Sequence, residues 1–103
     1  MEHTLSCNSL EEVREKIDEI DRELVALIAK RGALVKNAAK FKKTTSDVKA
    51  PQRVEQVVEK AIRLAENLDA NTRVVENVYR TMISSFIEME LLEHQSLQKT
   101  ADR

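Results

Sequence analysis

The chain has 103 residues, of which 42% are hydrophobic and 34% charged, and its formal net charge is −1. A single glycine, a single proline and very few aromatic residues indicate an all-α protein, because helix breakers are scarce. The near-zero net charge excludes a general field that would recruit nucleic acid, so any anion site must be a local cluster.

Two features bear on the compartment. Cys7 is the only cysteine, which excludes an internal disulfide and suits a reducing environment. No apolar run approaches the roughly 20 residues of a membrane span, and the N-terminus lacks the apolar region of a signal peptide. These features predict a cytoplasmic protein with no membrane partner.

A long first helix is predicted from Ser9 to about Lys43, after a loose arm over residues 1–8. Ser9 and Glu12 fit a capping box, in which each side chain accepts a hydrogen bond from the other residue's backbone N–H. Gly32 lies within unbroken periodicity and need not end the helix. Because the helix would be roughly 50 Å long and a compact 100-residue domain only about 35 Å wide, a second copy of the chain is expected to cover it. The sequence therefore predicts a homodimer.

The stripe of this helix is apolar at every position but one. In steps of three and four it comprises Leu10, Val13, Ile17, Ile20, Leu24, Leu27, Arg31, Leu34, Ala38 and Phe41. A guanidinium at this place is unfavourable unless an anion or an acceptor meets it. Lys42 lies roughly 20° from Arg31 around the helix axis and about 16 Å along it. The two cations predict bound negative charge, although an acidic partner within the protein would also explain Arg31.

Arg14 and Arg53 could complete an anion pocket. Arg14 lies about 25 Å from Arg31 along the helix, so one small ligand cannot touch both within one chain. In an antiparallel two-fold dimer, Arg14 of one chain could approach Arg31 and Lys42 of the other, and Arg53 could join them. Such a pocket would suit a compact dianion, because arginine binds carboxylates bidentately. Taken alone, Arg14 fits an ordinary solvated helix residue better.

Two further helices are predicted after a polar loop over residues 43–49. The second helix spans residues 51–66 and begins at Pro51. Its apolar face comprises Val54, Val57, Val58, Ala61 and Ala65. After a turn over residues 67–71, in which Asp69 or Asn71 provides the cap, the third helix spans residues 72–98. Its apolar stripe comprises Val75, Val78, Met82, Phe86 and Met89.

The remaining polar residues allow two interpretations of Glu90 and predict no metal site. Glu90 lies seven residues after Ile83, which places it on the same face of the helix. The alternative is that Glu90 is an exposed acid in an acidic patch. His3 and His94 are isolated from other ligands, so no metal site is predicted. The sequence predicts one domain over residues 9–98, followed by a frayed tail over residues 99–103.

The residues resemble the all-α class of chorismate mutases, whose fold the bacterial isochorismate pyruvate lyases share. The segments that carry the resemblance are Arg14–Leu24, Ile28–Arg31 and Ala39–Lys42. The spacing of seventeen residues from Arg14 to Arg31, and of eleven from there to Lys42, is kept without a gap. The resemblance covers roughly residues 10–93 and implies an intertwined three-helix homodimer with two sites and no cofactor.

The resemblance also implies roles for individual residues. Arg14 of the partner chain and Arg31 would bind the two carboxylates of the substrate, and Arg53 would help to hold the anion. Lys42 would bond the ether oxygen and a carboxylate. Glu90 would face the ether oxygen, where it can help only as the protonated acid, because a carboxylate would repel the charge developing there.

Two positions depart from the typical mutase pattern and leave the activity open. Ala50 stands where an acid usually contacts the substrate hydroxyl, and Val54 stands where a glutamate usually assists. The resemblance favours chorismate mutase, which forms prephenate for aromatic amino-acid biosynthesis in the shikimate pathway. The alternatives are isochorismate pyruvate lyase, which these two positions favour, and a non-catalytic helical dimer that binds an acidic metabolite or a partner helix.

Overall fold

The computed structural model describes residues 6–101, and their side chains over residues 6–96. Its helices are α1 (Leu10–Ala38), α2 (Thr45–Lys49), α3 (Pro51–Asn67) and α4 (Thr72–Ala101), and a 3₁₀ turn over Ala39–Phe41 follows α1. No strand occurs in this part of the chain, so the predicted all-α class is confirmed. The chain divides into two compact units, residues 1–34 and 35–103.

Helix α1 forms the first unit, and its last four residues belong to the second. The Ser9 hydroxyl accepts a hydrogen bond from the Glu12 backbone N–H at 3.1 Å, as predicted. The Glu12 carboxylate accepts from the Asn8 N–H at 3.1 Å, whereas the capping box predicted the N–H of Ser9. The helix continues through Gly32 as expected. Its 29 residues correspond to about 44 Å, slightly less than predicted.

The apolar stripe of α1 is exposed along its length. No residue of this helix is buried, and Leu10, Leu24 and Leu34 are 61%, 49% and 64% exposed. A contiguous apolar surface of this kind marks an interaction site, because isolated soluble domains rarely leave one in water. The predicted second copy of the chain remains a prediction that this surface favours.

The second unit has a small core between α3 and α4, and α2 packs against α4. Its buried apolar side chains are Ala39, Val48, Val58, Ala61, Ala65 and Ile83. The predicted face of α3 is confirmed, since Val58, Ala61 and Ala65 are buried while Val54 and Val57 are half-buried. Alanines at two of these positions allow the two helix backbones to approach closely.

The buried face of α4 differs from the predicted stripe. Val78 and Met89 are exposed, and the buried residues are Ile83, Glu90 and His94. These three follow a spacing of seven and four residues, which places them on one face of the helix. The reading of Glu90 as a simple exposed acid is therefore wrong, because the carboxyl group faces the interior of the second unit.

Residues 43–49 were expected to form a loop, but they contain the short helix α2. A helix of five residues is not stable alone, so its ends and its contacts must hold it. Thr44 and Asp47 form a capping box at its start, and Val48 is buried. Ala50 then takes the left-handed conformation, with φ of 34°, which ends α2 and begins α3 at Pro51.

The turn before α4 is capped by Asn71, one of the two predicted candidates. Its Oδ1 accepts a hydrogen bond from the Val74 N–H at 3.1 Å. Helix α4 extends to Ala101, three residues beyond its predicted end, and residues 102–103 of the predicted tail lie outside the described residues. In the described part of the chain, none of the helices combines the length and the apolar character needed to cross a membrane.

Candidate active site

Lys42 and Glu90 meet where the 3₁₀ turn packs against α4. Lys42 Nζ donates a hydrogen bond to Glu90 Oε2 at 2.8 Å. The glutamate side chain is 5% exposed and that of the lysine 25% exposed, so the acid lies behind the ammonium as seen from solvent. Because a lysine ammonium carries three N–H donors, two remain available to a ligand on the exposed side.

The backbone around Lys42 is fixed on both sides. Its N–H donates to the Ala39 carbonyl oxygen at 3.3 Å, and its φ of −95° and ψ of 129° end the helical path there. The next two backbone N–H groups, of Lys43 and Thr44, both donate to Asp47 Oδ2 at 3.1 Å. The Asp47 N–H in turn donates to Thr44 Oγ1 at 3.1 Å.

These bonds hold the pKa of Asp47 below its ordinary value. The largest cause is the hydrogen bond from the Lys43 N–H, followed by the bond from the Thr44 N–H, and the charge of His94 acts in the same direction. Each of these groups favours the carboxylate over the neutral acid. Asp47 is therefore ionised at neutral pH and acts as an acceptor for the backbone that follows Lys42.

A groove of about 690 Å³ opens beside this segment, and its volume is in the range of small-molecule sites. Its lining residues are Phe41, Lys42, Ser46, Asp47, Ala50, Pro51, Gln52 and Arg53. The groove brings together two of the predicted site residues, Lys42 and Arg53, and Glu90 joins them through its bond to the lysine. The groove thus contains two cations, beside the carboxylate of Asp47.

Arg14 and Arg31 lie on α1, in the unit formed by residues 1–34. Arg14 is exposed and Arg31 is half-buried. Both belong to one continuous helix, so seventeen residues correspond to about 25 Å along its axis. The predicted placement of the two arginines around one ligand thus requires two chains, and their roles remain predictions.

The sequence analysis does not single out Asp47 or the burial of His94. Asp47 lines the groove beside Lys42, in a segment for which the sequence predicts a loop. His94 is 6% exposed and lies four residues after Glu90 on the buried face of α4. Asp47 has a local signal, the Thr44-x-x-Asp47 spacing of a capping box, whereas the burial of His94 has none.

Residues 13–91 match the family described as Chorismate mutase type II. The chain belongs to this family. The matched span contains all five predicted site residues, Arg14, Arg31, Lys42, Arg53 and Glu90. Their roles remain predictions.

Relatives within this family have more than one activity. The chain is 31% identical over 85 residues to the isochorismate pyruvate lyase of Pseudomonas aeruginosa, an alignment that covers 82% of this chain and 84% of the relative. It is 26% identical over 95 residues to the chorismate mutase of Methanocaldococcus jannaschii, covering 91% and 93%. It is also 29% identical over 85 residues to a bifunctional chorismate mutase/prephenate dehydratase of Aquifex aeolicus, covering 79% of this chain but 24% of that longer protein.

Proposed function

We propose that this protein is a chorismate mutase, which converts chorismate into prephenate. The observation that carries the proposal is the Lys42 ammonium, held by the buried Glu90 at the edge of a groove that also contains Arg53. Membership of the chorismate mutase type II family supports it, as does the similarity to the Methanocaldococcus jannaschii chorismate mutase over nearly the full length of both chains.

The reaction needs a folded substrate and a donor at one oxygen. In the pericyclic rearrangement the ether C–O bond breaks while a new C–C bond forms, and negative charge develops on the ether oxygen. We assign to Lys42 the hydrogen bond to this oxygen, because two of its N–H groups are not used by Glu90. Arg53 and the other cations would hold the carboxylates so that the two reacting carbons lie close together.

The charges in the second unit explain why further cations are needed. Lys42 and Arg53 supply two positive charges, while Asp47 and Glu90 supply two negative ones, so the groove has little net charge with which to bind a dianion. We propose that Arg31, together with Arg14 of a second copy, supplies the excess of positive charge. The exposed apolar stripe of α1 is the surface that the second copy would cover in a homodimer.

A specific observation favours isochorismate pyruvate lyase as the second candidate. Ala50 lines the groove in the left-handed conformation and Val54 is half-buried one turn later, so neither position offers a carboxylate to the hydroxyl of chorismate. The Pseudomonas aeruginosa relative is a lyase of this name. Cleavage of isochorismate into salicylate and pyruvate also breaks the ether C–O bond, so Lys42 would serve the same purpose.

The test is to incubate the purified protein separately with chorismate and with isochorismate and to identify the products. Prephenate formed from chorismate, with little salicylate from isochorismate, would support the mutase. Efficient release of salicylate and pyruvate would assign the lyase instead. No turnover of either compound would contradict both. Lys42→Ala should lose the activity that is found, whereas Lys40→Ala, which alters an exposed neighbour, should keep it.

The pathway and compartment are part of the same proposal. We infer a role in aromatic amino-acid biosynthesis through the shikimate pathway, because prephenate leads to those amino acids. A cytoplasmic enzyme would agree with the single cysteine, Cys7, which needs no oxidising environment.

A further inference from the structure

A negative charge lies in the groove that is proposed to bind a dianion. Asp47 lines this groove together with Lys42 and Arg53. An ionised carboxylate at this place repels an anionic ligand, so it weakens binding unless it serves another purpose. Asp47 takes no part in the proposed reaction, and its hydrogen bonds indicate what it does instead.

The side chain of Asp47 binds the backbone that directly follows Lys42. Its Oδ2 accepts hydrogen bonds from the N–H groups of Lys43 and Thr44, each at 3.1 Å. The bond from Lys43, followed by that from Thr44, is the largest cause of the lowered pKa of Asp47, so the carboxylate is ionised where it accepts them. An ionised acceptor binds N–H groups more strongly than a neutral one does.

Lys42 therefore lies between two fixed segments of backbone. On the N-terminal side, its own N–H donates to the Ala39 carbonyl oxygen at 3.3 Å, at the end of the 3₁₀ turn. On the C-terminal side, the chain has left the helical path, because Lys42 has a φ of −95° and a ψ of 129°. The next two N–H groups donate to Asp47 instead. The direction in which the lysine side chain leaves the backbone is thus set at Asp47 as well as in the 3₁₀ turn.

We propose that Asp47 is a positioning residue for Lys42: it holds the backbone after the lysine and so keeps the ammonium between Glu90 and the groove. The inference rests on the proposed function, because it gives a purpose to the place of Lys42 in the groove. A displacement of the donor by about 1 Å is enough to lower the rate strongly, since the donor must meet the charge that develops in the transition state. This gain in rate offsets the repulsion between Asp47 and the ligand.

Asp47 also caps a helix, and a set of variants separates this role from positioning. In the capping box at the start of α2, the Asp47 N–H donates to Thr44 Oγ1 at 3.1 Å. Thr44→Ala removes this bond but keeps the acceptor of both backbone N–H groups. Asp47→Ala removes the acceptor, whereas Asp47→Asn keeps an oxygen acceptor without its charge.

Hydrogen exchange of single backbone amides reports the positioning without any substrate. In Asp47→Ala, the amides of Lys43 and Thr44 should exchange at least about tenfold faster than in the wild-type protein, whereas in Asp47→Asn they should stay within about threefold. The NMR chemical shift of Lys42 Nζ should also change in Asp47→Ala, because the ammonium moves relative to Glu90. Wild-type exchange and an unchanged Nζ shift in Asp47→Ala would overturn the proposal.

The amides of α3 provide the internal control for these measurements. In Asp47→Ala they should exchange at the wild-type rate, because the acceptor is lost only from the segment after Lys42. An equal rise in α3 would mean a general loss of stability, and the proposal would then be wrong.

Steady-state kinetics distinguishes positioning from contact with the substrate. In Asp47→Ala, kcat should fall about tenfold while KM changes by less than about threefold. In Asp47→Asn, kcat should stay within about threefold of the wild-type value, and KM should fall about threefold, because a negative charge has left the groove. A wild-type kcat in Asp47→Ala would contradict the proposal. A rise in KM in Asp47→Asn would also contradict it, since the carboxylate would then bind the substrate itself.

Two comparisons show whether the effect passes through Lys42. In a Lys42→Ala background, Asp47→Ala should lower kcat no further, because the group that it positions is absent. An additional tenfold loss would mean that Asp47 acts elsewhere. Thr44→Ala should keep kcat within about threefold of the wild-type value. A loss equal to that of Asp47→Ala would show that Asp47 serves only as a helix cap.

Thr45→Ala, at an exposed position of α2, is the control variant and should match the wild-type protein in exchange and in kcat. If the wild-type protein converts neither chorismate nor isochorismate, the proposed function fails. The exchange rates and the Nζ shift still decide whether Asp47 holds Lys42 in place, so the two failures are distinguishable.

Discussion

The Lys42 ammonium lies 2.8 Å from a Glu90 carboxylate oxygen, and the acid is the more deeply buried partner, at 5% against 25% exposure. Removal of the one residue is therefore expected to change the free energy of unfolding differently from removal of the other. Removing the lysine leaves a buried carboxylate without its counter-charge, whereas removing the glutamate leaves an ammonium that solvent can still reach. This asymmetry allows the contributions of the pair to stability and to activity to be separated.

Lys42→Ala should lower kcat by about 10²–10³-fold, the usual effect of removing a donor from a developing oxyanion. It should also lower the free energy of unfolding by about 1–3 kcal/mol, because Glu90 remains buried and unpaired. Adding Glu90→Gln should restore most of the stability but none of the activity. Steady-state kinetics and urea unfolding measure the two effects, with Lys40→Ala as the exposed control. Wild-type turnover in Lys42→Ala would contradict the proposed role.

The sequence predicts the helices better than it predicts the contacts between them. The span of α1 and the start of α3 at Pro51 follow from local signals: hydrophobic periodicity, few helix breakers and the preference of proline for the first helical turn. The apolar stripe of α1 was also predictable, because it follows from the spacing of three and four residues in the sequence.

The site was only partly predictable, for reasons that are physical. A cation on an apolar stripe is visible in the sequence, so Arg31 could be selected, and Lys42 followed from its spacing relative to Arg31. The burial of Glu90 and His94 was not visible, because it depends on which face of α4 meets α2, and α2 exists only through a capping box and the burial of Val48. Long-range pairing of this kind has no local signature.

Mixing two inactive variants tests the sharing of a site between two chains. Arg14→Ala and Arg31→Ala should each lose most activity, because each removes a carboxylate contact. A mixed dimer of the two variants has one site with both arginines and one site with neither. Random exchange of subunits should therefore restore about a quarter of the wild-type activity.

A separate pair of variants shows whether α1 forms the interface. Leu24→Lys, on the exposed apolar stripe, should give monomers by sedimentation velocity, whereas Glu23→Lys, at an exposed polar neighbour, should not. Failure of the mixed Arg14→Ala and Arg31→Ala sample to regain activity, with subunit exchange demonstrated, would show that the two arginines do not act across an interface.

Ala50→Asp should shift the preference between the two substrates towards chorismate. It places a carboxylate in the groove at a position where the hydroxyl of chorismate is expected, and one such hydrogen bond corresponds to about a tenfold change in relative kcat/KM. Aspartate tolerates the left-handed backbone of Ala50 better than most residues, so the fold should be kept.

Ala50→Asn is the matched control, because asparagine has the same shape and tolerates the same backbone conformation but carries no charge. It should shift the preference less than Ala50→Asp. Equal effects of the two variants would show that the shape of the groove, and not the missing carboxylate, determines the choice of substrate.

Arg80 should contribute to stability only where its acidic partners are ionised. Its guanidinium donates two hydrogen bonds to Glu55, at 2.8 and 3.0 Å, and one to Glu76 at 2.9 Å, which links α3 to α4. The hydrogen bonds from Arg80 hold the pKa of Glu55 below its ordinary value of 4.5. A lowered pKa in the folded state means that the stabilisation is present above about pH 4.5 and is lost as the pH falls further.

The melting temperature of Arg80→Gln should therefore lie below that of the wild-type protein at neutral pH, and the two should converge below about pH 4.5. The difference should be small and should decrease with salt, because all three side chains are substantially exposed to solvent. Arg73→Gln, at another exposed arginine of α4, provides the control for loss of one charge. A difference that persists unchanged in acid would mean that Arg80 stabilises the contact through packing of its aliphatic stem, since that packing does not depend on the ionisation of Glu55.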